Sequence, residues 1–95
     1  MAKEKNLQTL IIDDMEGRPG ILIFKLMKAN INGLPDLWIL APTGTFAVEV
    51  KAPGEVPKPH QEAMINRINA TKGARAYFVD SWQAWSKIKS EVILT

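Results

Sequence analysis

Leu37-Trp38-Ile39-Leu40-Ala41, then Pro42-Thr43-Gly44-Thr45, then Phe46-Ala47-Val48-Glu49-Val50-Lys51-Ala52 is the stretch on which the fold turns. Two apolar runs joined by a short segment containing glycine predict a hairpin, with strands over 37–41 and 46–52. Strand side chains alternate, so Phe46, Val48 and Val50 face one way while Glu49 and Lys51 share the other. Asp36 stands at the head of the first strand. Antiparallel pairing can bring it close to Glu49, because cross-strand neighbours have Cβ atoms about 5 Å apart.

Upstream of the hairpin, Leu7, Leu10, Ile11 and Met15 recur at helical steps and predict a helix from about Lys3 to Met15. Gly17, Pro19 and Gly20 break it. Ile21 to Met27 is short and dense in Ile, Leu and Phe, which suits a buried strand, and Asn30-Ile31-Asn32-Gly33 makes a turn. Downstream, the Pro- and Gly-rich segment from Pro53 to Pro59 is a loop. Pro59 fits the first turn of a helix running to about Lys72, with Gly73 just past its end. Ala74 to Val79 reads as a fourth strand, and Asp80 or Ser81 caps a last helix carrying Trp82 and Trp85. The order is helix, three strands, helix, strand, helix, an α/β arrangement.

The 95 residues suffice for one compact domain, 1–95, and their 46% hydrophobic content is that of an ordinary globular chain. A core of this size is marginal, and such domains gain stability by pairing with a second copy. The absence of cysteine excludes a disulfide framework, a thiolate metal site and a thiol nucleophile. His60 is the only histidine, which excludes a multi-histidine metal cluster within one chain. The net charge of +2 points weakly to an anionic partner. The start, Met1-Ala2-Lys3-Glu4-Lys5, lacks the apolar core of a signal peptide, and no run is apolar enough to span a bilayer. A soluble, cytoplasmic protein with no membrane association is expected.

A Glu-x-Lys on a strand is commonly a solvated face, and a Pro-Asp is commonly a turn. Their conjunction on one hairpin carries more weight. Two carboxylates that close repel each other unless a cation lies between them, and hard oxygen ligands favour Mg²⁺ or Mn²⁺. The Val50 carbonyl can add a further oxygen ligand. Lys51 would then orient or activate a water attacking phosphorus and help neutralise the developing charge.

The run Gly33-Leu34-Pro35-Asp36-Leu37, followed by Val48-Glu49-Val50-Lys51-Ala52-Pro53-Gly54 and then Gln61, resembles the virus-type replication-repair nuclease (VRR-NUC) domain. That family belongs to the PD-(D/E)XK phosphodiesterases. The resemblance covers nearly the whole chain and implies an αβββαβ core, with a mixed sheet flanked by helices and an extra C-terminal helix. It implies Asp36 and Glu49 as metal ligands and Lys51 as the catalytic lysine. Gln61 matches the family's glutamine on the helix after the strand, and Gln61, Ile65 and Ile68 share one helix face. Glu4 matches an acid of the family's first helix that touches the metal through water, with Asp13, Asp14 and Glu16 as rivals.

The expected function is therefore metal-dependent hydrolysis of DNA phosphodiesters. The minimal size resembles virus- and phage-borne members, placing the protein in a bacterial or phage-infected cell. These look like structure-specific endonucleases related to Holliday junction resolvases. A four-way junction has two-fold symmetry, so a homodimer cutting branched DNA is expected. The rivals are a nuclease preferring flaps, single strands or duplex, and a non-catalytic DNA-binding module. Lys58, Arg67, Lys72 and Arg75 are candidate phosphate contacts, His60 a helix cap or DNA contact, and Trp82 and Trp85 core or interface residues.

Overall fold

A computed structural model describes residues 6–95. Helix α1 (Leu7–Met15) is followed by strands β1 (Leu22–Lys25), β2 (Leu37–Ala41) and β3 (Gly44–Val50). Helix α2 (Pro59–Asn69), strand β4 (Ala74–Val79) and helix α3 (Trp82–Ile88) complete the order, and α3 runs on into a π-helical turn, Lys89–Ile93. The four strands lie in the order β1-β2-β3-β4. The first two pairings are antiparallel and the last is parallel, as the β3-α2-β4 crossover requires. This is the expected α/β arrangement of a mixed sheet flanked by helices. The part of the predicted first helix before Asn6 lies outside the described residues.

The alternation of β2 and β3 divides the core. Leu37, Ile39, Phe46 and Val48 point to one face, where they pack with Ile11, Met15, Trp85 and Ile93. Ala47 and Ala76 point to the other, and their small side chains let Met64 and Ile68 of α2 come close. The first helix is capped by Asn6, whose Oδ1 accepts from Thr9 N at 2.9 Å. Leu7, Ile11 and Met15 form its inward stripe. Leu10, counted above on the apolar face, is exposed instead, because a strict four-residue repeat leaves it beside the seam.

The first strand also departs from expectation. It stops at Lys25, with one further bond from Leu26 N to Asp36 O at 2.8 Å. Continuing the register would set Met27 opposite Pro35, which has no N–H to give to a ladder. The chain therefore leaves the sheet there. Nor is β1 buried: α2 covers β3 and β4, leaving Leu22, Phe24 and Leu40 at 58%, 40% and 40% exposure on the same face. The other edge is occupied. Asn69 of α2 accepts from Ala76 N at 2.8 Å and donates to Ala76 O at 3.1 Å.

The last helix begins at Ser81, whose Oγ accepts from Ala84 N at 3.1 Å. Trp85 is wholly buried, and its Nε1 donates to Asp14 Oδ2 at 3.0 Å. The same oxygen meets Lys89 Nζ at 2.7 Å, while Asp14 Oδ1 meets Arg18 at 3.1 Å. Asp14 thus ties the first helix to the last. Burial works against its charge, but the bonds from Lys89, Trp85 and Arg18 outweigh it and hold the carboxyl below its usual 3.8. Replacing Asp14 with Ala strands a buried indole N–H and is expected to cost about 1–3 kcal/mol in urea unfolding at pH 7. The lowered acid contributes fully above its ordinary value and less as pH falls through its folded value. The gap between wild type and Asp14→Ala should therefore shrink toward acid pH, and a constant gap would rule out the charged tie.

Candidate active site

The β2–β3 register pairs Leu37 with Val48, so the next position outward sets Asp36 opposite Glu49 on the face that α2 covers. The two carboxyl groups face each other across the hairpin, near enough to share a proton. Glu49 is only 4% exposed, and Asp36 is half-buried. The position of Asp36 is fixed from several sides. Pro35 before it is fully buried, Trp38 Nε1 donates to Pro35 O at 3.0 Å, and the Asp36 carbonyl is held by Leu26 N.

Lys51 lies one residue past β3, where its backbone N–H extends the parallel ladder to Val79 O at 2.9 Å. By alternation it follows Glu49 on the same face. With Val50 it lines a hollow of about 400 Å³ shared with Asn6, Leu7 and Gln8 of the first helix. Asp36 opens on a second hollow, under the loop that follows β1. Glu4 lies outside the described residues. Among the described residues no third Asp, Glu or His joins Asp36 and Glu49 in a cluster.

Gln61 sits in the first turn of α2, half-buried, with Met64, Ile65 and Ile68 along the inward face. Its Oε1 accepts from Lys58 N at 3.0 Å. Gln61 is therefore the residue that caps this helix, and not His60. Only its amide N–H groups are left to offer the site, and these suit a phosphate oxygen or a water. The N-terminus of α2 is brought to Asp36 by Gly33. With φ at +85°, this residue has the left-handed backbone that glycine tolerates, and a Cβ there would stand 3.1 Å from His60 O and Cδ2.

The basic residues divide between the two ends of the sheet. Lys58 lies at the site end, next to Gln61. Arg67 is in the last turn of α2, and Lys72 precedes Gly73, whose carbonyl is bonded to Thr45 N at the far end. Arg75 pairs with Phe46, three residues before Glu49 and about 10 Å away along the strand. The structure does not bring these three to the carboxylates.

The electrostatics follow from the geometry. Burial, hydrogen bonding of the Glu49 proton to Asp36 and the nearby Asp36 charge push Glu49 up from 4.5 to about 7, with Lys51 pulling the other way. Two acids share a proton where two full charges would repel. This conflict is what a divalent cation resolves, and two carboxylates suit an ion that keeps several waters. Because the folded state holds the Glu49 proton more tightly, the contribution of this group to stability is greatest below pH 4.5 and falls as pH rises to about 7. In chelator, this acid alone is expected to lower unfolding free energy by up to about 3 kcal/mol across that window. Glu49→Gln should flatten the slope in urea titrations, and an unchanged slope would place its origin elsewhere.

Among known proteins, no family sequence model and no curated protein matches this chain. A solved structure described as a VRR_NUC domain does. It is 30% identical and superimposes with a TM-score of 0.74. The match covers 88% of this chain and 90% of the other. A match at that identity over nearly the full length of both chains, around an Asp-Glu-x-Lys hairpin in the expected mixed sheet, places this chain in the VRR-NUC domain family.

Proposed function

We propose that the chain is a metal-dependent endonuclease that hydrolyses DNA phosphodiesters, and that it acts on branched DNA as a homodimer. The observation that carries the chemistry is the buried Glu49 carboxyl set opposite Asp36 by the strand register, with Lys51 following on the same strand face. A pure DNA binder gains nothing from carboxylates set against phosphate.

Asp36, Glu49 and the Val50 carbonyl would hold Mg²⁺ or Mn²⁺, with Glu4 a further ligand through water. When bound, the ion supplies a Lewis acid and lowers the pKa of a water. The carboxylates fix its place, and both must be ionised to do so. Lys51 orients the attacking water and offsets the negative charge that develops on the phosphoryl oxygens. The amide of Gln61 donates to a phosphate oxygen and positions the strand. No residue needs to become covalently attached to the DNA.

The dimer is supported by the sheet. Leu22, Phe24 and Leu40 form an apolar row on the β1–β2 half of the face that bears Asp36 and Glu49, and no helix among the described residues covers it. A second copy placed there by a two-fold axis would present two sites on one surface, as a four-way junction requires.

Purified protein with Mg²⁺ is expected to nick a labelled four-way junction in pairs, and chelator should abolish cutting. Lys51→Ala and Asp36→Asn should each lower the rate at least about 100-fold, while Asp36→Asn raises stability in chelator by removing the charge facing Glu49. Cutting of flaps, single strands or linear duplex alone would keep the chemistry and discard the resolvase, and binding without cutting would make the protein a DNA-binding module.

Phe24→Lys or Leu22→Lys is expected to convert a dimer to a species of 10.6 kDa in sedimentation and to replace paired nicks by single ones. A wild type that sediments at that mass at micromolar concentration would remove the basis for paired cutting.

A further inference from the structure

Between the end of β1 and Asp36 the chain makes a loop, residues 26–34, that encloses a hollow of about 420 Å³. Nothing in the chemistry above uses it. Asp36 forms part of its wall, so the hollow is continuous with the place where the phosphodiester is cut. Met27 and Ile31 line it while exposed at 79% and 43%, and Asn32 brings a side-chain amide to the same wall. Lys28 adds a cation. Gly33 closes the loop against His60 and fixes its distance from α2.

We propose that this hollow receives one unstacked nucleotide adjoining the scissile phosphate, and that it confers preference for branched DNA. The inference rests on the nuclease reading and adds the residues that select the substrate. A phosphate joins two nucleosides directly, so a phosphate held at Asp36, which lines the hollow, leaves an adjoining nucleoside at its mouth. A base has two apolar faces and a polar edge. Met27 and Ile31 suit the faces, since unbranched and branched aliphatic side chains serve as wedges between base steps. Asn32 can donate to and accept from the edge. Lys28 matches the next phosphate. In continuous duplex the base must first be unstacked and unpaired, whereas at a branch point stacking is interrupted and that cost falls, and in a flap or single strand it is largely absent.

The test is a four-way junction carrying 2-aminopurine at the nucleotide beside each mapped cut, bound with Ca²⁺ in place of Mg²⁺. Wild type is expected to raise the fluorescence several-fold as the base leaves the stack. Met27→Ser and Ile31→Ser together should abolish that rise and reduce the preference for junction over duplex about tenfold, within the range for losing a base-stacking partner. Lys28→Ala should weaken binding and reduce its salt dependence. Met27 is almost wholly in solvent, so Met27→Ser alone keeps the test open if the double variant unfolds. A wild type that cuts junctions without any fluorescence rise, or a folded variant that keeps the full preference, overturns this proposal and leaves the nuclease standing. A wild type that cuts no substrate overturns both.

Discussion

Two carboxylates are held against each other at the end of a hairpin, one nearly without solvent, and much of the molecule can be understood as what keeps them there. The β2–β3 register sets Asp36 opposite Glu49. Buried Pro35, pinned by the Trp38 indole, prevents the first acid from swinging away. Alanines at 47 and 76 let α2 cover the second acid's strand closely enough to exclude water. The arrangement is unfavourable taken alone, as the upward displacement of Glu49 shows. It persists because apolar clusters on both faces of the sheet outweigh it, as is usual where a fold sustains local strain at a functional site.

The polarity of the sheet concentrates function at one end. Glu49 and Lys51 stand at the carboxyl ends of the parallel β3–β4 pair, where α/β sheets generally bind ligands. The second helix starts at that end, and its first turn adds positive potential where phosphate would lie. Both hollows flanking the carboxylates open there, one reached from the first helix and one from the loop after β1. The opposite end has a hollow framed by Thr45, Gly73 and Arg75, with no acid in its lining.

Much of this was legible in the chain because it depends on near neighbours. The spans of β2 and β4 follow from short apolar runs between turn signals, and the placing of Asp36 beside Glu49 follows once the hairpin is closed. The β3 strand was read two residues late at both ends, since Gly44 and Thr45 pair despite looking like a turn. What stayed hidden depends on distant partners. Asp14 meets Trp85 and Lys89 across separations of 71 and 75 residues, and no local pattern distinguishes it from Asp13. The bare face of β1 could not be foreseen from Ile, Leu and Phe, because composition reports what a strand can bury and not whether a helix arrives to cover it. The capping bond of Gln61 carries little local signal, because Lys58 stands at the N-cap where the capping-box pattern has Ser or Thr. The π-helical turn after α3 has no sequence signal that we can name.

The amide of Asn69 imitates a strand residue. By giving and taking one hydrogen bond each at Ala76, it plugs the middle of the outer edge of β4 with a side chain of the same molecule. A strand added along that edge must first displace this amide, whereas at the β1 border no side chain among the described residues stands in for a strand. An object with a single sticky border joins once and stops, because each partner in the pair has used its only free side. Polymerisation needs two such borders, and unpaired strand edges are the usual route to fibrils. One asparagine thus disfavours growth of this sheet beyond a pair by edge pairing.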